Sequence, residues 1–348
     1  MTLTKAILAT ALVAAAAGAT GTLGQATTPA RDGQIAFQRY HFTDKPLWAE
    51  LFVANTDGTG AHKITHTPRG AQDSDPDWSP DGSRLVFQRC GPTEGACFVW
   101  SVNANRTGER RLSPLCRHEN NAKLAAKCVT VDDFSPVYSP DGRAVAFVRH
   151  SGRLDRKRDR IQSAALMVAD PNLKHVRRAF WFGPYKGDLE SGVAWSPSGK
   201  QLAFTDAIRH GIFIVNVTGQ PRLHRVTPKT MRAGADRIDW SPDGSRILFR
   251  TMPLRGSNTG GNLYTIRPNG TGLRQLTHYQ PDDTRPGALW TGSFSPDGSS
   301  IVFATLRGAT GADVGLPDVF VMSSNGTNVR PVTRTQNWDG SPDWGPAR

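Results

Sequence analysis

No Gly-x-Ser-x-Gly elbow, no His-Glu-x-x-His and no Gly-rich phosphate loop occurs in the 348 residues. Those motifs mark hydrolases of the elbow type, zinc peptidases and P-loop nucleotide enzymes, so none of these classes is signalled. Cysteine is scarce: Cys90, Cys97, Cys116 and Cys128 are the four present, and no spacing among them is the Cys-x-x-Cys that zinc sites use. Beyond the first residues no stretch is apolar enough to span a membrane. The nine histidines are scattered rather than clustered. Scattered histidines are ordinarily surface residues, so catalysis is not the leading reading.

What is present begins with an export signal. Lys5 supplies a positive start, Ala6 to Gly18 is an apolar run, and small residues follow, with cleavage after Ala19 or Ala26. The run is shorter than a spanning helix of roughly 20 residues. Residues 1–26 therefore read as a signal peptide, and the protein as periplasmic or extracellular. In such a compartment four cysteines read as disulfides. Three pairings are open, and the local ones, Cys90–Cys97 and Cys116–Cys128, are favoured. Each would stabilise by about 2–3 kcal/mol in the chain-entropy estimate.

The formal charge is +12, and it falls by one, to +11, when residues 1–26 leave with Lys5. Such a surface attracts anions, less so in salt. For an exported chain the available anions are envelope polymers and headgroups, so nucleic acid is not the expected partner.

One pattern recurs six times. It reads Asp77-Trp78-Ser79-Pro80-Asp81-Gly82, Val137-Tyr138-Ser139-Pro140-Asp141-Gly142 and Ala194-Trp195-Ser196-Pro197-Ser198-Gly199. It returns as Asp239-Trp240-Ser241-Pro242-Asp243-Gly244, Ser293-Phe294-Ser295-Pro296-Asp297-Gly298 and Asp343-Trp344-Gly345-Pro346. The aromatic positions lie 60, 57, 45, 54 and 50 residues apart, a spacing that suits one propeller blade plus loop insertions. Pro-Asp-Gly makes a tight turn, since Pro presets φ, Asp bonds its own backbone and Gly accepts positive φ. A β-rich run such as Leu85-Val86-Phe87 follows each of the first five turns, then a second hairpin, giving strands a to d in each repeat.

The sixth copy ends with its strand a at the C-terminus. Its strands b, c and d are found at the other end, around Gln34–Gln38, Leu51–Ala54 and His62–Thr65. The expected fold is therefore all-β: a six-bladed β-propeller over 33–346, four antiparallel strands per blade, the last blade closed by C-terminal strand a with N-terminal strands b–d. Closure hides two sheet edges that would otherwise invite aggregation. The repeat anchors Trp78, Tyr138, Trp195, Trp240, Phe294 and Trp344 are expected to pack between blades.

These residues resemble the WD40-like PD40 repeat of the TolB-like propeller family, and the resemblance covers essentially all of the chain after the signal. It implies a periplasmic scaffold whose propeller binds a peptidoglycan-associated lipoprotein. The family's α/β domain ahead of the propeller has no counterpart here, so what that domain couples to is not implied. Similar repeats accompany prolyl-oligopeptidase-type hydrolases, but no hydrolase domain is present.

Function is expected on the irregular b–c and d–a loops, which a rigid scaffold presents. Arg149, Arg153, Arg156, Lys157, Arg158 and Arg160 form a basic run there, a candidate docking patch for a protein or an anionic envelope component. Acids before strand a, at Asp75, Asp133, Glu190, Asp236 and Asp339, converge on the central channel and are candidate oxygen ligands for Ca²⁺. His41, His150, His210 and His278 fall in or near the same face. The leading reading is an exported, non-catalytic, monomeric binding propeller without a cofactor. The alternative is a lyase or hydrolase acting on an acidic polysaccharide with a channel metal.

Overall fold

The computed structural model describes residues 32–41, 44–91, 96–113, 129–153, 163–183, 192–206, 209–231, 237–251, 261–279, 289–306 and 316–348, with backbone alone at 129–131, 152 and 153. The signal-peptide segment lies outside these residues. Among the described residues the chain is all strand, without a helix. In chain order the strands are β1 (Asp32–His41), β2 (Trp48–Ala54), β3 (His62–Lys63), β4 (Gln72–Trp78), β5 (Arg84–Cys90), β6 (Cys97–Asn103) and β7 (Arg110–Arg111). Next come β8 (Val129–Tyr138), β9 (Val145–Arg153), β10 (Ser163–Ala169), β11 (Arg177–Gly183), β12 (Val193–Trp195), β13 (Gln201–Asp206), β14 (Gly211–Asn216) and β15 (Leu223–Arg225). The last are β16 (Asp239–Trp240), β17 (Ile247–Arg250), β18 (Leu263–Ile266), β19 (Arg274–Gln275), β20 (Leu289–Phe294), β21 (Ser300–Thr305), β22 (Asp318–Ser323), β23 (Arg330–Pro331) and β24 (Trp338–Pro346).

Four sheets have four antiparallel strands each: β8–β11, β12–β15, β16–β19 and β20–β23. An eight-stranded sheet joins β24, β1, β2 and β3 to β4–β7 through one parallel bridge, Ala49 to Gln72. The C-terminal strand does pair with the N-terminal one, with Ile35 opposite Trp344 and Ala36 opposite Asp343. First strands of successive sheets touch in a closed cycle: β24 on β4, β4 on β8, β8 on β12, β12 on β16, β16 on β20, and β20 on β24. This is a propeller-like arrangement.

The repeated turn explains why each sheet starts as it does. Ser79 Oγ donates to Asp81 Oδ1 at 2.6 Å, and Gly82 closes the turn onto Ser79 O at 2.8 Å with φ of 67°. The same Ser–Asp bond recurs at Ser139–Asp141, Ser241–Asp243 and Ser295–Asp297. Alternation then buries one apolar face of each strand against the next sheet. Phe37, Phe87, Phe147, Phe204, Phe249 and Phe303, the aromatic of each strand b, are fully buried. All but one of the core clusters are filled from two consecutive sheets; one, for example, holds Leu248, Leu263 and Leu276 together with Leu289, Phe294 and Phe303. The exception packs Ala36, Leu51 and Ile64 on Trp78, Leu85 and Phe87 within the eight-stranded sheet. The repeat anchors are buried in these seams, as packing residues should be.

A hydrogen bond staples most neighbouring inner strands. The residue before one anchor accepts from the backbone N–H of the next anchor. Asp77 takes Tyr138 N at 2.7 Å, Asp239 takes Phe294 N at 2.7 Å, Ser293 Oγ takes Trp344 N at 2.9 Å and Asp343 takes Trp78 N at 2.9 Å. Val137 and Ala194 occupy the same position and offer no acceptor, so the β12–β15 sheet lacks this staple on both flanks. Replacing Ser293 by Ala should strand a buried N–H and lower stability by about 1–3 kcal/mol. Ser299→Ala, on the exposed turn, should shift it by no more than about 0.5 kcal/mol. Urea midpoints of the two variants check this, and equal midpoints would refute the staple.

Candidate partner-binding face and central channel

The last residues of the b strands pair with the first residues of the c strands at one end of the sheets, opposite the repeated turns. Here a cross-strand pattern organises the charges. Arg39 stands directly opposite Asp339, Arg89 opposite Asp73 and Arg149 opposite Asp133. Each guanidinium forks onto both carboxylate oxygens: Arg39 on Asp339 at 2.8 and 2.8 Å, Arg149 on Asp133 at 2.7 and 2.9 Å. Hydroxyls complete the set, with Ser113 donating to Asp133 at 2.6 Å and Thr335 to Asp339 at 3.2 Å. Bidentate pairs of this kind fix geometry as well as charge.

This places the sequence candidates. Asp133 and Asp339 lie at the expected end, each held by an arginine. Asp75 sits at the bulge where β4 shifts register, with φ of 49°, and Ser135 and Ser341 take the same conformation at the matching points of β8 and β24. Glu190 and Asp236 lie outside the described residues. Among the described residues no group of three or more His, Cys, Asp or Glu side chains is arranged to hold a metal ion. Arg149 is in the ion pair with Asp133. Arg153 is described only as backbone of β9, and Arg156, Lys157, Arg158 and Arg160 fall outside. Cys90 and Cys97 face each other at the end of the β5–β6 hairpin and are disulfide-bonded; Cys116 and Cys128 lie outside. His41 stacks on Trp48 at 4.2 Å and contacts Glu50 at 3.2 Å, while His150 is buried against Phe134 and His210 and His278 are exposed on other sheets.

In the channel the key side chain is one that sequence reasoning missed. Arg237, just ahead of β16, reaches across the ring to Asp343 at 2.6 Å, Asp77 at 3.0 Å and the carbonyl of Pro76 at 2.5 Å. A signal did exist. The residue three before each anchor is Asp75, Ser135, Gly192, Arg237, Thr291 or Ser341, so Arg237 is the one cation at that position. Burial pushes Asp77 well above its ordinary range, reinforced by the neighbouring Asp343 charge. Burial alone would pull Arg237 down, but Asp343, Asp77, Asp239 and Asp75 together hold it up. Asp239 is pushed up to about 7, chiefly by burial, against the bond from Phe294 N and the charge of Arg237.

Three further facts bear on the ring's surfaces. The repeated prolines Pro80, Pro140, Pro197, Pro242, Pro296 and Pro346 line an open depression of about 1490 Å³ on the turn end. Asp32 and Arg348, the ends of the described chain, also lie there, Asp32 opposite Pro346 and Arg348 on the carbonyl of Gly82 at 2.8 Å. At the loop end, Asp73, Asp133, Asp206 and Asp339 have fully buried side chains, whereas Arg69, Lys63 and Arg209 are 61%, 44% and 43% exposed.

This geometry defines a β-propeller with a tied channel and paired charges at its loop end. Comparison with known proteins points the same way. No protein-family model matches the chain. A TolB homolog from Chlorobium luteolum is 32% identical over 133 residues, 37% of this chain and 25% of that protein, so the match spans a quarter of the relative's length. The crystal structure of TolB from Acinetobacter baumannii superposes with a TM-score of 0.65 at 19% identity, covering 90% of this chain and 67% of that one. Hydrazine synthase from Kuenenia stuttgartiensis superposes with a TM-score of 0.63 at 13% identity, covering 92% of this chain and 48% of that one. The chain is thus a TolB-like β-propeller in fold. The same fold also serves an enzyme, so the fold does not fix the chemistry.

The Asp239 carboxyl gives a pH test. Folded, it keeps its proton to about pH 7; unfolded, it loses it near 3.8. Its contribution to stability is therefore full below 3.8 and lost as pH rises through 7. Asn at 239 can still accept from Phe294 N but does not titrate. The Tm of Asp239→Asn relative to the parent should rise between about pH 4 and pH 7 and then level off. A flat difference across that window would refute the buried-acid reading.

Proposed function

We propose that the chain is an exported, monomeric, six-bladed binding propeller, freed of residues 1–26, that docks an anionic component of the cell envelope through its loop end. The six repeats, the closed cycle of inner strands and the single parallel bridge dividing the eight-stranded sheet support six blades, the last closed by β24 with β1–β3. Likeness to TolB supports a binding and scaffold role.

The observation that carries the reading is the separation of charge. Asp73, Asp133 and Asp339 of the loop end are sunk into ion pairs inside the sheets, whereas Arg69 and Lys63, paired with Asp44 and Glu50, keep much of their own surface in solvent. A chain of formal charge +11 after loss of residues 1–26 that buries Asp73, Asp133 and Asp339 there presents a positive surface to partners. The basic run after Arg149 adds to it, with Arg149 itself serving the sheet. Converting Arg153, Arg156, Lys157 and Arg158 to Gln should weaken binding to anionic-lipid vesicles. It should also flatten the fall in affinity with salt, since fewer ions are exchanged. Cosedimentation across a salt series measures both, and an unchanged slope would remove the run from the docking surface.

A further inference from the structure

The outermost strands of the sheets are short: β3, β7, β15, β19 and β23 have two or three residues each. Short outer strands are one way proteins keep sheet edges from pairing with other chains. β11 breaks the pattern with seven residues, Arg-Arg-Ala-Phe-Trp-Phe-Gly. It ends its sheet, and among the described residues no strand pairs with its outer edge. Phe180 and Phe182 anchor it inward, each 5.2 Å from Phe204 of the next sheet. Arg177 ties it there as well, donating to Val217 O at 2.9 Å. The edge is thus held in place before any partner arrives, with two shifts of register against β10, one between Gly183 and Trp181 and one between Phe180 and Arg178.

Its other face is unusual too. Trp181 is 51% exposed, and the other exposed large apolar side chains among the described residues, Leu223, Leu273 and Val329, are aliphatic. The approach to the strand is basic: Lys174, His175, Arg177 and Arg178 are all exposed within five residues. The acid of that turn, Asp170, is engaged by His175 at 3.0 Å.

We propose that β11 is a docking edge for an extended, acidic peptide segment of a partner protein, which adds to the β8–β11 sheet as a further strand. Backbone pairing along β11 supplies affinity, and alternating side chains supply selectivity. Carboxylates of the segment face Arg178 and Lys174, and an apolar side chain covers Trp181. A second copy of this chain fits less well, because both basic runs would meet on one seam between chains of charge +11 without residues 1–26. This surface lies on the outer rim and stands independently of the loop end.

The test uses an end-capped peptide of alternating glutamate and valine, the same peptide N-methylated on alternate backbone nitrogens, and a lysine–valine counterpart. The glutamate peptide should bind, and hydrogen exchange at residues 178–182 should slow on binding. Arg178→Glu and Trp181→Lys, with unchanged Tm, should each weaken binding about tenfold, in the range of interface anchors. The N-methylated peptide should not bind. Equal binding by the N-methylated or lysine peptide, unchanged exchange along β11, or no binding at all would overturn the proposal. So would protection of β11 by self-association without peptide, seen by sedimentation, which would make a second copy the occupant.

Discussion

β24 pairs with β1 across nearly the whole described length of the chain, and every other seam depends on that contact. Without it, the inner strands would form an open row with two bare edges, and the apolar faces of the terminal sheets would meet water. With it, β1 and β24 present Ile35, Phe37 and Trp344 to Val302, Val319 and Val321, so the last core cluster is built from both chain ends. Closing so long a loop costs little more than closing a short one, because the entropy grows only with the logarithm of its length. The cost is met by many small terms. The staples between inner strands each contribute on the order of 1 kcal/mol, and they count because they lie in series around one ring.

The channel follows from the same geometry. Placing an aspartate before three of the anchors, at Asp77, Asp239 and Asp343, brings carboxylates toward one axis, where their mutual repulsion and burial both favour protonation. The chain offsets this with one guanidinium from the far side of the ring. Arg237 meets Asp77 and Asp343 at once, so it couples β16 to β4 and β24 electrostatically across the ring. Removing a partner from a buried pair of this kind is costly even where the pair itself adds little net stability. Arg237 is therefore best understood as a positioning group for the ring, and the acids of the channel as its counter-charges.

Much of the fold was legible in the sequence because it is repetitive and local. Trp-Ser-Pro-Asp-Gly names its own turn, and Leu-Val-Phe or Ile-Val-Phe after it names a buried strand. The missing strands of the last repeat could be found by asking where an unfinished sheet would be completed. The Cys90–Cys97 bond was legible because the two residues flank one hairpin. The charge pairs were not. Asp133 and Asp339 read as free acids converging on a channel, since nothing short-range says that Arg149 and Arg39 stand opposite them. For Arg39 and Asp339 the pairing exists only after the two chain ends have met. Arg237 was hidden for the same reason: its partners lie on strands far away in sequence.

Repetition also indicates where to look for function. A position occupied alike in every repeat is under the common demand of closing the ring, and Ser, Pro, Asp and Gly of the turns meet that demand. Departures from the repeat answer to something else. The strand-b arginines on β1, β5 and β9 hold acids inward, but at the matching place on β13 Asp206 is bonded by Arg209 from the following turn, exposing the cation instead. Outer strands are short on every sheet but one, and that one carries an exposed tryptophan behind a basic run. The turn end is the most regular part of the molecule and has a depression made mainly of prolines already committed to turns. The loop end and the rim at β11 depart most from the repeat: at the loop end the cations that pair with Asp44, Glu50 and Asp206 keep much of their surface in water, and at the rim a strand edge and an indole face it with no demand of ring closure to explain them.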